Sequence, residues 1–284
     1  MPGRPPESTL RFGVSLLRAN PARWLDIAVE AERLGFESVW ISDHLVLPTV
    51  LDSAEHPRRK ILIKPTTPTF DVMVYLAALA ARTSRIRLGT YVYQPALRHP
   101  FVAARAVTTL DVVSSGRVEL GVGAGYVSTE WAATGLDFAT RGALLDECIA
   151  VCRRLWTESA VRHDGRFYRF PAVEFEPKPV QRPHPPIHVG GESRTALRRA
   201  AALGDGWIGM HHTPASAGPV IEQVHAAAGE RGAPLQVTVA AEPGTEDAVD
   251  QWRDLAIDRL IVAPWRRSRD AIAGLRRFAE QHIH

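Results

Sequence analysis

Lysine is nearly absent. Only Lys60, Lys64 and Lys178 occur among 34 basic residues, and the other 31 are arginine. Such a bias reflects either a GC-rich genome or guanidinium forks placed for phosphate and carboxylate groups. The excess of positive charge is small, a net +3, so charge alone makes no case for nucleic-acid binding. There are two cysteines, Cys148 and Cys152. Spaced four apart on an expected helix, they share a face and read as small core residues in a reducing compartment, not as a zinc pattern. No apolar run reaches the roughly 18–20 residues that span a bilayer, which argues against a membrane protein. Residues 1–10 lack the apolar core of a signal peptide, so a cytoplasmic protein with a flexible segment at 1–9 is expected. No Gly-x-Ser-x-Gly elbow and no Walker loop is present. His211 and His212 are adjacent and point to different sides of a strand, so no metal site is expected.

What the chain does have is rhythm. Short apolar runs alternate with amphipathic helical stretches, the mark of a parallel sheet covered by helices. Eight strand candidates stand out: Arg11–Leu16, Ser38–Ile41, Ile86–Thr90, Val118–Val122, Pro186–Val189, Gly206–Met210, Leu235–Ala240 and Arg259–Val262. Eight such units in 284 residues predict one α/β domain, a (β/α)8 TIM barrel. The first helix is expected over Pro21–Leu34, with Asn20 as N-cap, Pro21 at its first position and Gly35 as its stop. Two segments break the rhythm. Pro48–Thr69 forms a long loop after strand two, where a barrel carries its active site. Val161–Pro186, with the turn His163-Asp-Gly-Arg-Phe-Tyr, reads as a hairpin inserted before strand five.

Four segments carry polar chemistry. Asp43-His44 ends strand two, where titratable groups face a barrel mouth and an imidazole beside a carboxylate can relay a proton. The other reading is a pair that only stabilises its loop. Thr90 ends strand three, and Arg98-His99 stand before Pro100 at a helix start, suited either to an anion or cofactor edge or to simple capping. Gly121-Val-Gly123-Ala124-Gly125-Tyr126 lacks the full dinucleotide fingerprint, but its glycines let a flat ring approach the backbone. Gly190-Gly191-Glu-Ser193-Arg194 passes from strand to helix and offers free N–H groups, a hydroxyl and a guanidinium to a phosphate. An ordinary capped helix is the alternative. Trp40, Tyr91, Tyr93, Tyr126 and Trp131 are candidates either for an apolar pocket or for the core.

Taken in order, Asp43-His44, Leu97-Arg-His-Pro100, Gly116-Arg-Val-Glu-Leu-Gly-Val-Gly123, Leu155-Trp-Thr157, Glu176-Pro-Lys-Pro-Val-Gln-Arg-Pro183, Pro186-Ile-His-Val-Gly-Gly191 and Gly204-Asp-Gly-Trp207 resemble the luciferase-like monooxygenase family over about residues 10–265. Within it, the chain is most similar to a short actinobacterial branch of F420-dependent oxidoreductases. The resemblance implies that the barrel mouth holds a deazaflavin, coenzyme F420, or alternatively FMN. It implies a ring near strands two to four, touched by Asp43, His44, Thr90, His99, Gly123 and Ala124, and a phosphate at Gly190, Gly191, Ser193 and Arg194. His44 is then the proton donor or acceptor for hydride transfer to or from a small organic substrate. Asp43 sets its tautomer or contacts the ring, and Glu130 is a further candidate. The alternatives are an FMN-dependent monooxygenase, which needs a separate flavin reductase, and a non-catalytic flavin-binding barrel. A homodimer is expected on the same grounds. The chain departs from the branch after Pro48, where Arg58-Arg59-Lys60 stand in a basic segment suited to an acidic cofactor tail.

Overall fold

The computed structural model describes residues 10–50, 64–231 and 234–283. Residues 1–9 and the basic triplet Arg58-Arg59-Lys60 lie outside the described residues. The elements run in the order β1 (Arg11–Ser15), α1 (Trp24–Arg33), β2 (Ser38–Ile41), α2 (Val72–Ala80), β3 (Arg87–Thr90), α3 (Pro100–Val113), β4 (Val118–Val122), α4 (Ser128–Ala133), α5 (Arg141–Thr157), β5 (Ala160–Asp164), β6 (Arg169–Glu174), β7 (Ile187–Gly190), α6 (Arg194–Leu203), β8 (Gly206–His212), α7 (Pro214–Arg231), β9 (Gln236–Ala241), α8 (Val249–Arg253), β10 (Arg259–Val262) and α9 (Ala271–His282).

Eight strands close in the cyclic order β1-β10-β9-β8-β7-β4-β3-β2, all parallel. The expected TIM barrel is present, and each expected strand ends within two residues of the observed one. Residues β5 and β6 form the expected antiparallel hairpin ahead of β7, turned by the Gly165 N–H to Tyr168 O bond of 2.9 Å. The first helix starts one turn later than expected as an α-helix. Pro21–Arg23 is a 3-10 turn, with Asn20 Oδ1 accepting from the Ala22 N–H at 3.0 Å. Gly35 takes φ 85°, which a side chain would oppose, and releases the chain into β2. Cys148 and Cys152 are free thiols buried on one face of α5.

The barrel interior explains several glycines. Trp40 is fully buried in the lumen, where it packs with Ile208, Ala240 and Ile261. A Cβ at Gly89 would stand 2.2 Å from the Trp40 ring, so only glycine fits opposite it. Below Trp40, charged side chains fill the N-terminal end. Arg259, wholly buried, donates to both oxygens of Glu37 at 2.8 and 2.7 Å and lies 3.4 Å from Glu119 Oε2. The other Glu119 contacts are His188 Nε2 at 2.5 Å and Arg87. Arg87, Glu119, His188 and Arg259 are the first or second residues of their strands and Glu37 directly precedes β2, so together they fill the N-terminal end of the ring. Burial pushes the Glu119 carboxyl up, but the bond to His188 and the charges of Arg259 and Arg87 outweigh it and hold it well below the usual range. The open end is therefore the C-terminal mouth, where barrels keep their sites.

Candidate active site

A cavity of about 890 Å³ opens at the C-terminal ends of β1, β2, β3, β4, β7 and β8. That volume suits a cofactor-sized ligand. Its floor is Val92, which follows Tyr91 through a cis peptide bond. A Cβ at Gly123 would come within 2.6 Å of Val92 Cγ2, and one at Gly190 within 3.2 Å of Cγ1. The glycines of β4 and β7 thus make room for the Val92 side chain, and the valine is the apolar surface a flat ring would meet. Gly123, Ala124, Gly190, Gly191 and Ser193 all line the cavity.

Asp43 and His44 both line it as well, but they do different work. Asp43 is buried and grips Arg98 through two bonds, Nη1 to Oδ2 at 2.8 Å and Nη2 to Oδ1 at 2.9 Å. Its Oδ2 also accepts from the Gln94 N–H at 3.0 Å. The carboxylate that pairs with the imidazole is Glu130, with His44 Nδ1 at 3.0 Å from Glu130 Oε2. The expectation that Asp43 sets the His44 tautomer is therefore corrected. Both Asp43 oxygens are turned to Arg98 and the Gln94 N–H, and the imidazole takes Glu130 instead. Glu130 also accepts from the Leu45 N–H at 2.6 Å and from Gln94 Nε2 at 3.2 Å. Burial raises the Glu130 carboxyl, yet the bonds from His44, Leu45 and Gln94 bring it below its ordinary value. With Nδ1 held by a carboxylate, Nε2 of His44 is the nitrogen left to exchange a proton with a ligand. Tyr126 stands edge-on to the imidazole at 6.0 Å between ring centroids. Its phenol is pushed up to about 12 by burial and by the Glu130 charge, so it stays protonated.

Three expected cofactor residues fall elsewhere. Thr90 is wholly buried and its hydroxyl donates to Gly121 O at 2.7 Å. His99 is exposed and caps α3, its Nδ1 accepting from the Phe101 N–H at 3.3 Å. Arg194 begins α6 with its side chain exposed and outside the cavity lining. Capping, the plainer alternative for His99, is what the structure shows. Arg141, the first residue of α5, is a cation that does line the cavity. Its guanidinium stacks 4.0 Å from the Phe138 ring, and among the described residues it forms no ion pair with a carboxylate. Arg199 also lines the cavity but is taken by Asp146. Arg141 belongs to no motif and stands 49 residues before Gly190, so no local spacing marks it as part of the site. Of the candidate aromatics, Tyr91 and Tyr126 line the cavity, whereas Trp40, Tyr93 and Trp131 are core.

The donor set fits a ring-and-phosphate ligand. Gly191 holds φ 110° beside the start of α6, where Ser193 Oγ caps the Ala196 N–H at 3.2 Å. The α6 N-terminus, Ser193 and Arg141 all line the cavity and are the groups there suited to an anion, while Val92 offers an apolar surface to a ring.

A closed β/α barrel with a cofactor-sized cavity and a proton-bearing dyad at its mouth defines the class. The chain belongs to the luciferase-like monooxygenase family, whose model matches residues 7–282, and it is an oxidoreductase of that family. It is 34% identical over 256 residues to an uncharacterized protein of Mycobacterium tuberculosis, covering 88% of this chain and 90% of that one. It is 35% identical over 205 residues to an F420-dependent glucose-6-phosphate dehydrogenase of Microbacterium testaceum, covering 70% of this chain and 56% of that protein. Among solved structures, an F420-dependent secondary alcohol dehydrogenase in complex with an F420-acetone adduct shares the fold, with a TM-score of 0.78 at 18% identity, covering 96% of this chain and 98% of that one.

Proposed function

We propose that this oxidoreductase uses coenzyme F420 and moves a hydride between it and a small organic alcohol or carbonyl compound. The observation that carries the reading is the His44–Glu130 dyad on the wall of the cavity. When bound, F420 supplies or accepts the hydride at C5 of its ring. The chain's own residues do the rest. Val92 supports the ring, and Ser193, Arg141 and the α6 N-terminus take the phosphate. His44 Nε2 gives a proton to the carbonyl oxygen, or removes it from the hydroxyl in the reverse direction. Glu130 stabilises the imidazolium, which is the form that donates the proton in carbonyl reduction and the form produced when His44 takes the hydroxyl proton in the reverse direction, and Asp43 with Arg98 fixes the loop that carries His44. Tyr126 and the apolar floor limit access of water. The F420-dependent relative supports the deazaflavin over FMN.

The test is equilibrium titration of the purified protein with oxidised F420 and, in parallel, with FMN, followed by fluorescence. At least tenfold tighter binding of F420 is expected. Tighter FMN binding overturns the cofactor and makes the enzyme an oxygen-using monooxygenase served by a separate flavin reductase.

A further inference from the structure

His211 stands on the cavity wall, and no role has yet fallen to it. The strand order places β8 four positions from β2 in a ring of eight, so the two strands face each other across the mouth. His211 near the end of β8 therefore stands opposite His44, which follows β2.

Its presence there needs an irregular strand. Ile208 and Met210 line the cavity, so strict alternation would turn His212 inward and His211 outward toward the helices. The register against β9 slips between Gly209 and His212, and His211 takes φ 53°. One extra residue in β8 exchanges the faces of the two histidines. His212 is wholly buried, 3.1 Å from Glu192 and beside the ring of Trp207 in the outer layer. His211 enters the lumen next to Tyr91, with ring centroids 6.0 Å apart. Glycine or asparagine holds a left-handed conformation with less strain than histidine. An imidazole kept in that conformation on a ligand wall points to a use for the side chain.

We propose that His211 determines substrate specificity by hydrogen-bonding a second oxygen of the substrate, at the end remote from the carbon that exchanges hydride. The enzyme then favours compounds with two oxygen functions, such as diols and hydroxyketones, over simple alcohols and ketones. This inference rests on the hydride-transfer reading above, with His44 serving the reacting oxygen.

The probes are cyclohexanol and cyclohexane-1,4-diol, each oxidised with F420 as acceptor. The wild-type enzyme should favour the diol in kcat/KM by about tenfold, the scale of one neutral hydrogen bond. His211→Gly should lose that preference through KM while its Tm stays at or above the wild-type value. His211→Asn, which tolerates the same backbone and keeps a polar end, should retain much of it. Equal kcat/KM for the two probes in the wild type overturns the proposal. So does a preference that survives in His211→Gly, or its loss together with a fall in Tm, which would assign the imidazole to packing. Turnover of neither probe overturns it too. F420 titration of the same wild-type sample then tells the cases apart, because intact cofactor binding leaves the F420 reading standing and absent binding removes both.

Discussion

Asp43 and His44 are neighbours in the chain and take opposite partners, an arginine for one and a glutamate for the other. The difference assigns their roles, and it predicts different variants. Glu130→Gln keeps the shape of the dyad but cannot balance an imidazolium. We expect kcat to fall by about 100-fold, the lower range for proton transfer by a positioned group, with F420 affinity unchanged. Steady-state kinetics beside a fluorescence titration checks both. The same variant has a pH signature. The folded carboxyl of Glu130 lies below its ordinary value, so its contribution to stability is in place above that ordinary value and is lost as the pH falls through the lowered one. Thermal melts of Glu130→Gln should therefore lose less stability on acidification than melts of the wild type. His99 gives the contrasting case. As a cap outside the cavity, His99→Ala should cost about 1 kcal/mol and leave the affinity for F420 unchanged, and weaker binding would return His99 to the cofactor site.

Elements were the most legible scale. Strand positions followed from apolar runs bounded by turns, because a parallel strand covered on both faces must be apolar throughout. The hairpin followed from β-prone runs flanking His163-Asp-Gly. The Asp43-His44 segment was legible because the end of a barrel strand faces the mouth whatever its partners are. Pairing across the barrel was not legible: Glu130 lies 86 residues from His44, and no local spacing encodes that contact. The slip in β8 was hidden for the same reason, since it exists only against β9. The glycines were read as room for a ring, and the structure gives that room to Val92. A prediction belongs here. A Cβ at Gly121 would stand 2.0 Å from the backbone oxygen of Thr90, which is main chain of β3, paired to β2 at that residue, and not the free end of a flexible side chain. Gly121→Ala should destabilise by about 3 kcal/mol, at the upper end for overpacking. The Tm of the purified variant measures this, and an unchanged value would mean that β3 and β4 can separate at little cost.

The whole molecule keeps stability and ligand contact at opposite ends. Trp40 and the lumen residues around it separate the charged bottom from the open cavity. Arg259 is the centre of that bottom, bonded to Glu37 and close to Glu119, with its guanidinium over the Trp40 ring at 5.3 Å. Burial lowers its tendency to hold a proton, but the charges of Glu119 and Glu37 more than reverse this. Removing one member of such a set strands the others, at a cost of about 3–5 kcal/mol. Arg259→Met leaves Glu37 and Glu119 without their main cation and keeps much of the volume. For a chain of this length the loss corresponds to a fall in Tm on the order of 10 °C. Because no Arg259 atom lines the cavity, the fraction that remains folded should bind F420 with wild-type affinity at a temperature well below the transition. A melt and a titration on the same sample test the separation: a lowered Tm with unchanged affinity places the charged cluster in stability alone, whereas a parallel loss of affinity would show that the bottom of the barrel sets the shape of its mouth.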